Sequence, residues 1–306
     1  MSYLRRMYAR NKKTFVITLM MLPVAIWLLL IRYLPMAGVI IAFQDYRPYP
    51  PDPSLLNNIF NSSFVGFDNF QFIFASQDAW RMIRNTLAYN AIWILLTMVI
   101  AIAFAIMLSE IGKKFFAKLY QTVMFFPFFI SWVVVGYFAF AFLAPNFGLL
   151  SGVTDWYMDS TWWPVILTIS TLWKNVGYSC ILYLAAITSI DAVQYEAACI
   201  DGASKWKQIW SITLPSIKPM IIILLIMNIG RIFNADFGLF YNVTMDSGPL
   251  YPVTDVVDTY VFRALQKMNN MGMSTAAGLF QSAVGFICIM ITNAIVRKVD
   301  KESALF

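Results

Sequence analysis

Six long apolar runs limit what this chain can fold into. They fall at 14–34, 87–108, 122–143, 163–187, 220–240 and 275–296. Each is close to the roughly 20 residues that a helix needs to cross a bilayer. Lipid offers the backbone no hydrogen bonds, so such runs must be helical. The expected fold is therefore all-α and integral to the membrane, with six transmembrane helices. Composition agrees: 60% of the 306 residues are hydrophobic and 12% are charged, against roughly 25% charged in soluble domains. The first run continues past Arg32 to Phe43 without a small-residue cleavage site, so it reads as a retained anchor and not a signal peptide.

Several function classes are disfavoured. Histidine is absent, which removes the commonest general base and metal ligand. Cys180, Cys199 and Cys288 are far apart and have neither zinc nor redox spacing. A membrane enzyme would need a nucleophile, a metal site or paired acids at membrane depth, and the spans cluster none. The net charge of +6 forms no nucleic-acid patch and instead orients the chain. Arg5, Arg6, Arg10, Lys12 and Lys13 precede the first span. Lys113, Lys114 and Lys118 follow the second, Lys205, Lys207 and Lys218 the fourth, and Arg297, Lys298 and Lys301 the sixth. All fall on one face, which is expected to be cytoplasmic with both termini. The opposite loops are rich in Asp, although Arg47, Arg81, Arg84, Arg263 and Lys267 run against the trend. In the outer segment 45–84, "YRPYPPDP" cannot be helical. "FVGFDNFQFIF" sets Phe67, Phe70 and Phe74 at helical spacing, as an interfacial helix or as a loop packed on the span ends.

The stretch "QYEAACIDGASKWKQIWSITLP", inside the loop 191–218, breaks the apolar pattern. Asp191 can cap a helix through Cys199, and Asp201-Gly202 turns it. Ser204 can cap a second helix, whose Trp206, Ile209, Trp210 and Thr213 form a stripe that ends at Pro215. By itself this bracket is either an amphipathic loop on lipid or a docking element. Its residues Glu196, Ala197, Ala198, then Asp201, Gly202, Ala203, then Ile212 to Leu214 and Pro215, resemble the EAA signature of permease subunits of binding-protein-dependent ABC importers. "FFPFFISWVVVGYF" and "LWKNVGYSCILYLAAITSIDAVQYEAACIDGA" extend the likeness over nearly the whole chain, towards the LplB-like permeases of oligo- and polysaccharide import.

The resemblance implies a type I (MetI-like) permease fold and a coupling helix at the bracket, including Trp206, that seats in an ATPase subunit. It implies a second, different permease, two ATPase subunits and an extracellular solute-binding protein. No P-loop occurs in the chain, so ATP and Mg belong to the ATPase partners, and the chain itself carries no cofactor.

Polar groups inside a span are costly and face a cavity or a partner. Trp173, Lys174, Asn175 and Tyr178 form one such set, and Asn228, Arg231, Asn234 and Asp236 another. Spacing puts Asn228, Arg231 and Asn234 on one helical side. Analogy with maltose-type permeases assigns Trp173, Lys174, Asn175, Tyr178, Met227, Arg231 and Asn234 to sugar contact, and Asn228 joins them as a group that could pair with sugar hydroxyls. The alternatives are that Asn228 joins helices, that Arg231 pairs with Asp236 or another subunit, and that Lys174 snorkels outward. "FFPFFISW" reads as a packed, Pro-kinked span and not as a sugar path. Lys174 and Arg231 together favour an acidic, uronate-containing oligosaccharide. Rival readings are another importer cargo, such as a glycerol phosphodiester or peptide, and an ATP-independent channel.

Overall fold

A computed structural model describes residues 2–46, 55–71, 77–268, 270–299 and 304. The segment "YRPYPPDP" after Tyr46, together with Phe74, lies outside the described residues. Among the described residues, five helices are long and apolar enough to cross a membrane, or six if one bent pair counts as a single span. The chain divides into two compact units, Met1–Phe72 with Ala264–Leu279, and Ile73–Arg263 with Phe280–Phe306.

In the first unit, α1 (Ser2–Leu28) continues through a π turn, Leu29–Tyr33, and a 3-10 stretch, Leu34–Phe43. Its apolar side chains are exposed on all sides, Phe15, Trp27 and Leu34 among them, as expected of a helix solvated by lipid. A short helix α2 (Leu55–Asn61) follows. The FVGFDNF stretch forms only a 3-10 turn, Asp68–Phe70, within the described residues. Phe67 and Phe70 both pack against Phe43, with ring centroids 5.5 and 5.6 Å away. The Asn69 amide donates to the carbonyls of Ala42 and Gln44 at 3.0 and 2.9 Å. This segment is thus a loop fastened to the end of the first span.

The second unit is built on α3 (Gln77–Ser109) and α6 (Trp163–Thr188). They run side by side in the same direction. Tyr89 and Trp93 share a buried cluster with Trp163 and Leu167, while Ala101, Ala105 and Leu108 share another with Val176 to Ile187. The Trp93 indole donates to Thr168 Oγ1 at 3.0 Å.

The third apolar run is broken into two helices. α4 (Lys114–Phe125) passes through a 3-10 turn, Phe126–Phe129, and meets α5 (Trp132–Leu143) at a bend of 94°. Pro127 within "FFPFF" removes a backbone donor, and Ser131 recaps the chain by accepting from the Val134 amide at 3.4 Å. Gly177 lets α6 reach this break, because a Cβ there would fall on the Met124 carbonyl. Gly177→Ala is therefore expected to cost about 1–3 kcal/mol, read as a lower melting temperature of the assembled protein; an unchanged value would contradict this contact.

The bracket consists of α7 (Ala192–Ile200) and α8 (Lys205–Gln208). α8 does not stop at Pro215, contrary to expectation. It runs through a π turn, Ile209–Thr213, into α9 (Leu214–Ile229), one apolar helix from Lys205 to Ile229. The wider turn accommodates the proline ring, which would clash with a carbonyl in a regular α-helix. The fifth run also ends earlier than 220–240, because the helix stops at Ile229. Just past this stop the Gly230 carbonyl lies against Gly285, where a Cβ would stand 2.4 Å from it.

The amphipathic helix α10 (Val257–Met268) and the long helix α11 (Met271–Val299) complete the fold. Near the start of α10, Asp255 is 2% exposed and is held by two arginines. Arg81 reaches it at 3.2 Å and also pairs with Asp78 at 2.9 Å. Arg263 bonds to it and to Asp246 at 2.9 Å, and lies 4.2 Å from the centre of the Tyr251 ring. Burial disfavours the Arg263 charge, but Asp255 and Asp246 outweigh it and hold its pKa above the ordinary value.

Candidate functional site

A cavity of 610 Å³ lies among α3, α6, α9 and the loop that follows α9. Asn175 and Tyr178 reach it from α6, Asn228 from the last turn of α9, and Arg231, Asn234 and Asp236 from the loop. The anticipated grouping on one helical side does not hold, because the helix has ended before Arg231. A turn brings the three residues to the same cavity instead.

That loop is pinned by side chains from three helices. Asn90 on α3 donates its amide to the Ile232 and Asn234 carbonyls at 2.8 and 3.1 Å. Gln281 on α11 donates to the Phe233 carbonyl at 2.8 Å. Asp258 on α10 accepts from the Ala235 amide at 2.8 Å and from Gln281 at 3.1 Å. Burial raises the Asp258 carboxyl above its ordinary range, against the pull of those two donors. Both Asp236 oxygens are engaged, Oδ2 by the Trp132 indole at 2.5 Å and Oδ1 by the Leu239 amide at 3.4 Å. Arg231, by contrast, is exposed, and its guanidinium has no ion pair among the described residues. The expected alternative, a pair with Asp236, is not formed.

Tyr178 stacks on Phe128, with centroids 4.7 Å apart and planes 12° apart, and Phe128 also lines the cavity. The FFPFFISW stretch is thus both a packed break and a source of cavity wall. Asn175 donates to the Thr171 carbonyl at 3.1 Å and keeps its amide oxygen.

Three predicted contacts lie elsewhere. Trp173 is exposed and lines an apolar groove with Ile100, Phe104 and Val123. Met227 is exposed and does not line the cavity. Lys174 is buried, with its ammonium on the backbone carbonyls of Pro127 at 3.4 Å, Phe128 at 2.9 Å and Ile130. It neither snorkels nor faces the cavity. Sequence reasoning gave no role to Asn90, Gln281 and Asp258, which look like ordinary span or loop residues.

The bracket is fastened from within. Asp191 accepts from the Val193 amide at 3.0 Å, and Ser204 from the Lys207 amide at 3.4 Å. Gly202 has φ +71° and open space where a Cβ would stand. Gln208 is buried and donates to the Ala203 carbonyl at 3.0 Å and to Cys199 Sγ at 3.3 Å, closing α8 onto α7. Tyr195 and Thr213 join hydroxyls at 2.9 Å, and Lys205 pairs with Glu110 at 2.8 Å. Leu214 packs into the apolar cluster around Ile217, while Pro215 is exposed. Glu196, Ala197, Asp201, Trp206, Trp210 and Ile200 all stay exposed. The bracket is fastened inside and presents tryptophans beside charged side chains outside.

Residues 94–301 match the family described as binding-protein-dependent transport system inner membrane component. The chain is 35% identical over 292 residues to protein LplB of Bacillus subtilis, covering 93% of this chain and 89% of that protein. It is also 35% identical to the polygalacturonan/rhamnogalacturonan transport system permease protein YteP of the same organism, over 93% and 88% of the two chains. Among solved structures, it matches a chain of a bacterial ABC transporter involved in the import of the acidic polysaccharide alginate. The TM-score is 0.80 and the identity 32%, over 96% of this chain and 99% of that one. A second structure of the alginate transporter, in complex with its pentasaccharide-bound periplasmic protein, matches with a TM-score of 0.82. The fold is the all-helical, MetI-like one that the EAA pattern led us to expect, and the chain belongs to the binding-protein-dependent transport system inner membrane components, as a transporter subunit and not an enzyme.

Proposed function

We propose that this chain is a permease subunit of an ATP-driven importer that carries uronate-containing oligosaccharides across the cell membrane, with both termini in the cytoplasm. The observation that carries this reading is the exposed guanidinium of Arg231 in the cavity. Beside it stand the amides of Asn175, Asn228 and Asn234 and the paired rings of Tyr178 and Phe128. Arg matches a carboxylate by two parallel hydrogen bonds. Amides suit sugar hydroxyls, and an aromatic face suits the apolar side of a pyranose. The alginate and polygalacturonan transporters to which the chain is similar handle polymers of just such sugars.

In this reading a second permease completes the pathway, a solute-binding protein delivers the cargo outside, and two ATPase subunits hold ATP and Mg. The exposed face of Glu196–Pro215 docks on an ATPase, which is why Trp206 and Trp210 remain uncovered in the single chain. Closure of the ATPases moves the bracket, and because α8 and α9 are one helix, the motion reaches Asn228 without a joint. Two of the arginines that offend the charge rule, Arg81 and Arg263, are paired with Asp78, Asp246 and Asp255 and so add no free positive charge to the outer side.

Uptake by the reconstituted importer tests the cargo. Arg231→Gln is expected to lower uptake of uronate oligosaccharides about 10- to 100-fold, the worth of a charged hydrogen bond, and to spare neutral ones of equal length. Equal uptake of the acidic cargo by variant and parent would refute the assignment.

A further inference from the structure

The chain breaks twice beside the cavity, at the turn between α4 and α5 and again at Gly230–Asp236 after α9. A helix that stops at membrane depth leaves carbonyls that no water replaces. At the first break three of them converge on one side chain. Lys174, buried on α6, donates to Pro127, Phe128 and Ile130. Its nitrogen also lies 5.3 Å from the centre of the Trp132 ring and 5.9 Å from that of Phe128. The Trp132 indole N–H then donates to Asp236 on the loop of the second break, at 2.5 Å. Gly238 allows this approach, because a Cβ there would sit 2.6 Å from Trp132 Cδ1. One cation, one indole and one carboxylate thus run from break to break, and the buried positive charge has a negative one across the ring.

We propose that Lys174, Trp132 and Asp236 form a latch that joins the two broken spans, so that Phe128 on one and Arg231 and Asn234 on the other keep a fixed spacing. Lys174 is a positioning residue and not a cargo ligand. What the latch positions rests on the cargo reading above; its existence does not.

In the complete reconstituted importer, Lys174→Met is expected to lower turnover at least tenfold for neutral and uronate oligosaccharides alike, with the ratio of their KM values unchanged. Lys174→Arg, which keeps a donor for the carbonyls, is expected to recover part of the loss. A loss confined to uronate cargo would make Lys174 a cargo ligand and overturn the proposal, as would no loss at all. If Lys174→Met fails to accumulate, the far half of the latch decides. Trp132→Phe keeps an aromatic ring beside Lys174 but removes the N–H together with part of the indole, and Asp236→Leu removes the acceptor of that N–H. A latch requires the double variant to lose less than the product of the two single losses, whereas losses that multiply would refute it. The same cycle, read from the melting temperature of the assembled importer in nanodiscs without cargo, separates the two ideas. Coupling there, with no oligosaccharide uptake by the parent importer, would keep the latch and discard the cargo assignment.

Discussion

Asp255→Ala is expected to cost about 3–5 kcal/mol, the range for breaking a buried ion pair from one side. The carboxylate is 2% exposed and is shared by Arg81 and Arg263. Arg263 is itself only 11% exposed, so its charge would stay behind without its main partner. Thr259 would lose an acceptor as well. The start of α10 would loosen, and Asp258, which holds the cavity loop through Ala235, lies on that helix. The measurements are the melting temperature of the assembled importer and the amount of protein in membranes. Both should fall sharply, and Asp255→Asn should recover only part because it keeps hydrogen bonds but not charge. A melting temperature equal to the parent's would mean that the network contributes no stability.

Gly202→Asp is expected to abolish uptake, by 100-fold or more, while the protein still folds. Its φ of +71° lies in the left-handed region, where a residue other than glycine costs about 1–2 kcal/mol and Asp is among the better tolerated. A Cβ there meets nothing within 4 Å in the single chain, so a loss beyond that backbone cost would come from the proposed docking of the bracket on an ATPase. Membrane abundance near the parent's, with uptake and cargo-stimulated ATP hydrolysis both lost, is the expected pair of results. Uptake that persists would favour a channel that needs no ATP and would remove the coupling role of the bracket.

Much of this was legible in the residues. Asp191, Gly202 and Ser204 behave as local rules require, because capping and a positive φ depend on a few neighbouring atoms. Long apolar runs are helical because lipid permits little else. The failures share a cause. Pro215 looks like a helix end, but a π turn before it lets one helix continue. Lys174 looks like a cargo contact, but a buried ammonium goes to whatever acceptors surround it, and those come from a turn 44 to 47 residues away. Asn90, Asp258 and Gln281 carry no local mark, since their roles are bonds to a loop that is distant in the chain.

That this protein is a helical membrane component, where its apolar segments lie and which short bracket stands apart from them can all be read from the order of its residues. Hydrophobicity and backbone geometry are properties of adjacent residues, and adjacent residues are what a sequence displays. The folded chain was needed to learn that the third apolar run is broken, that Lys174 faces carbonyls and not the cavity, and that Arg231 stands, with no ion pair among the described residues, in a cavity shared with Asn175 and Tyr178. Where a charged group ends up depends on which partners the fold brings within about 3 Å of it, and that distance is not written in the order of the residues.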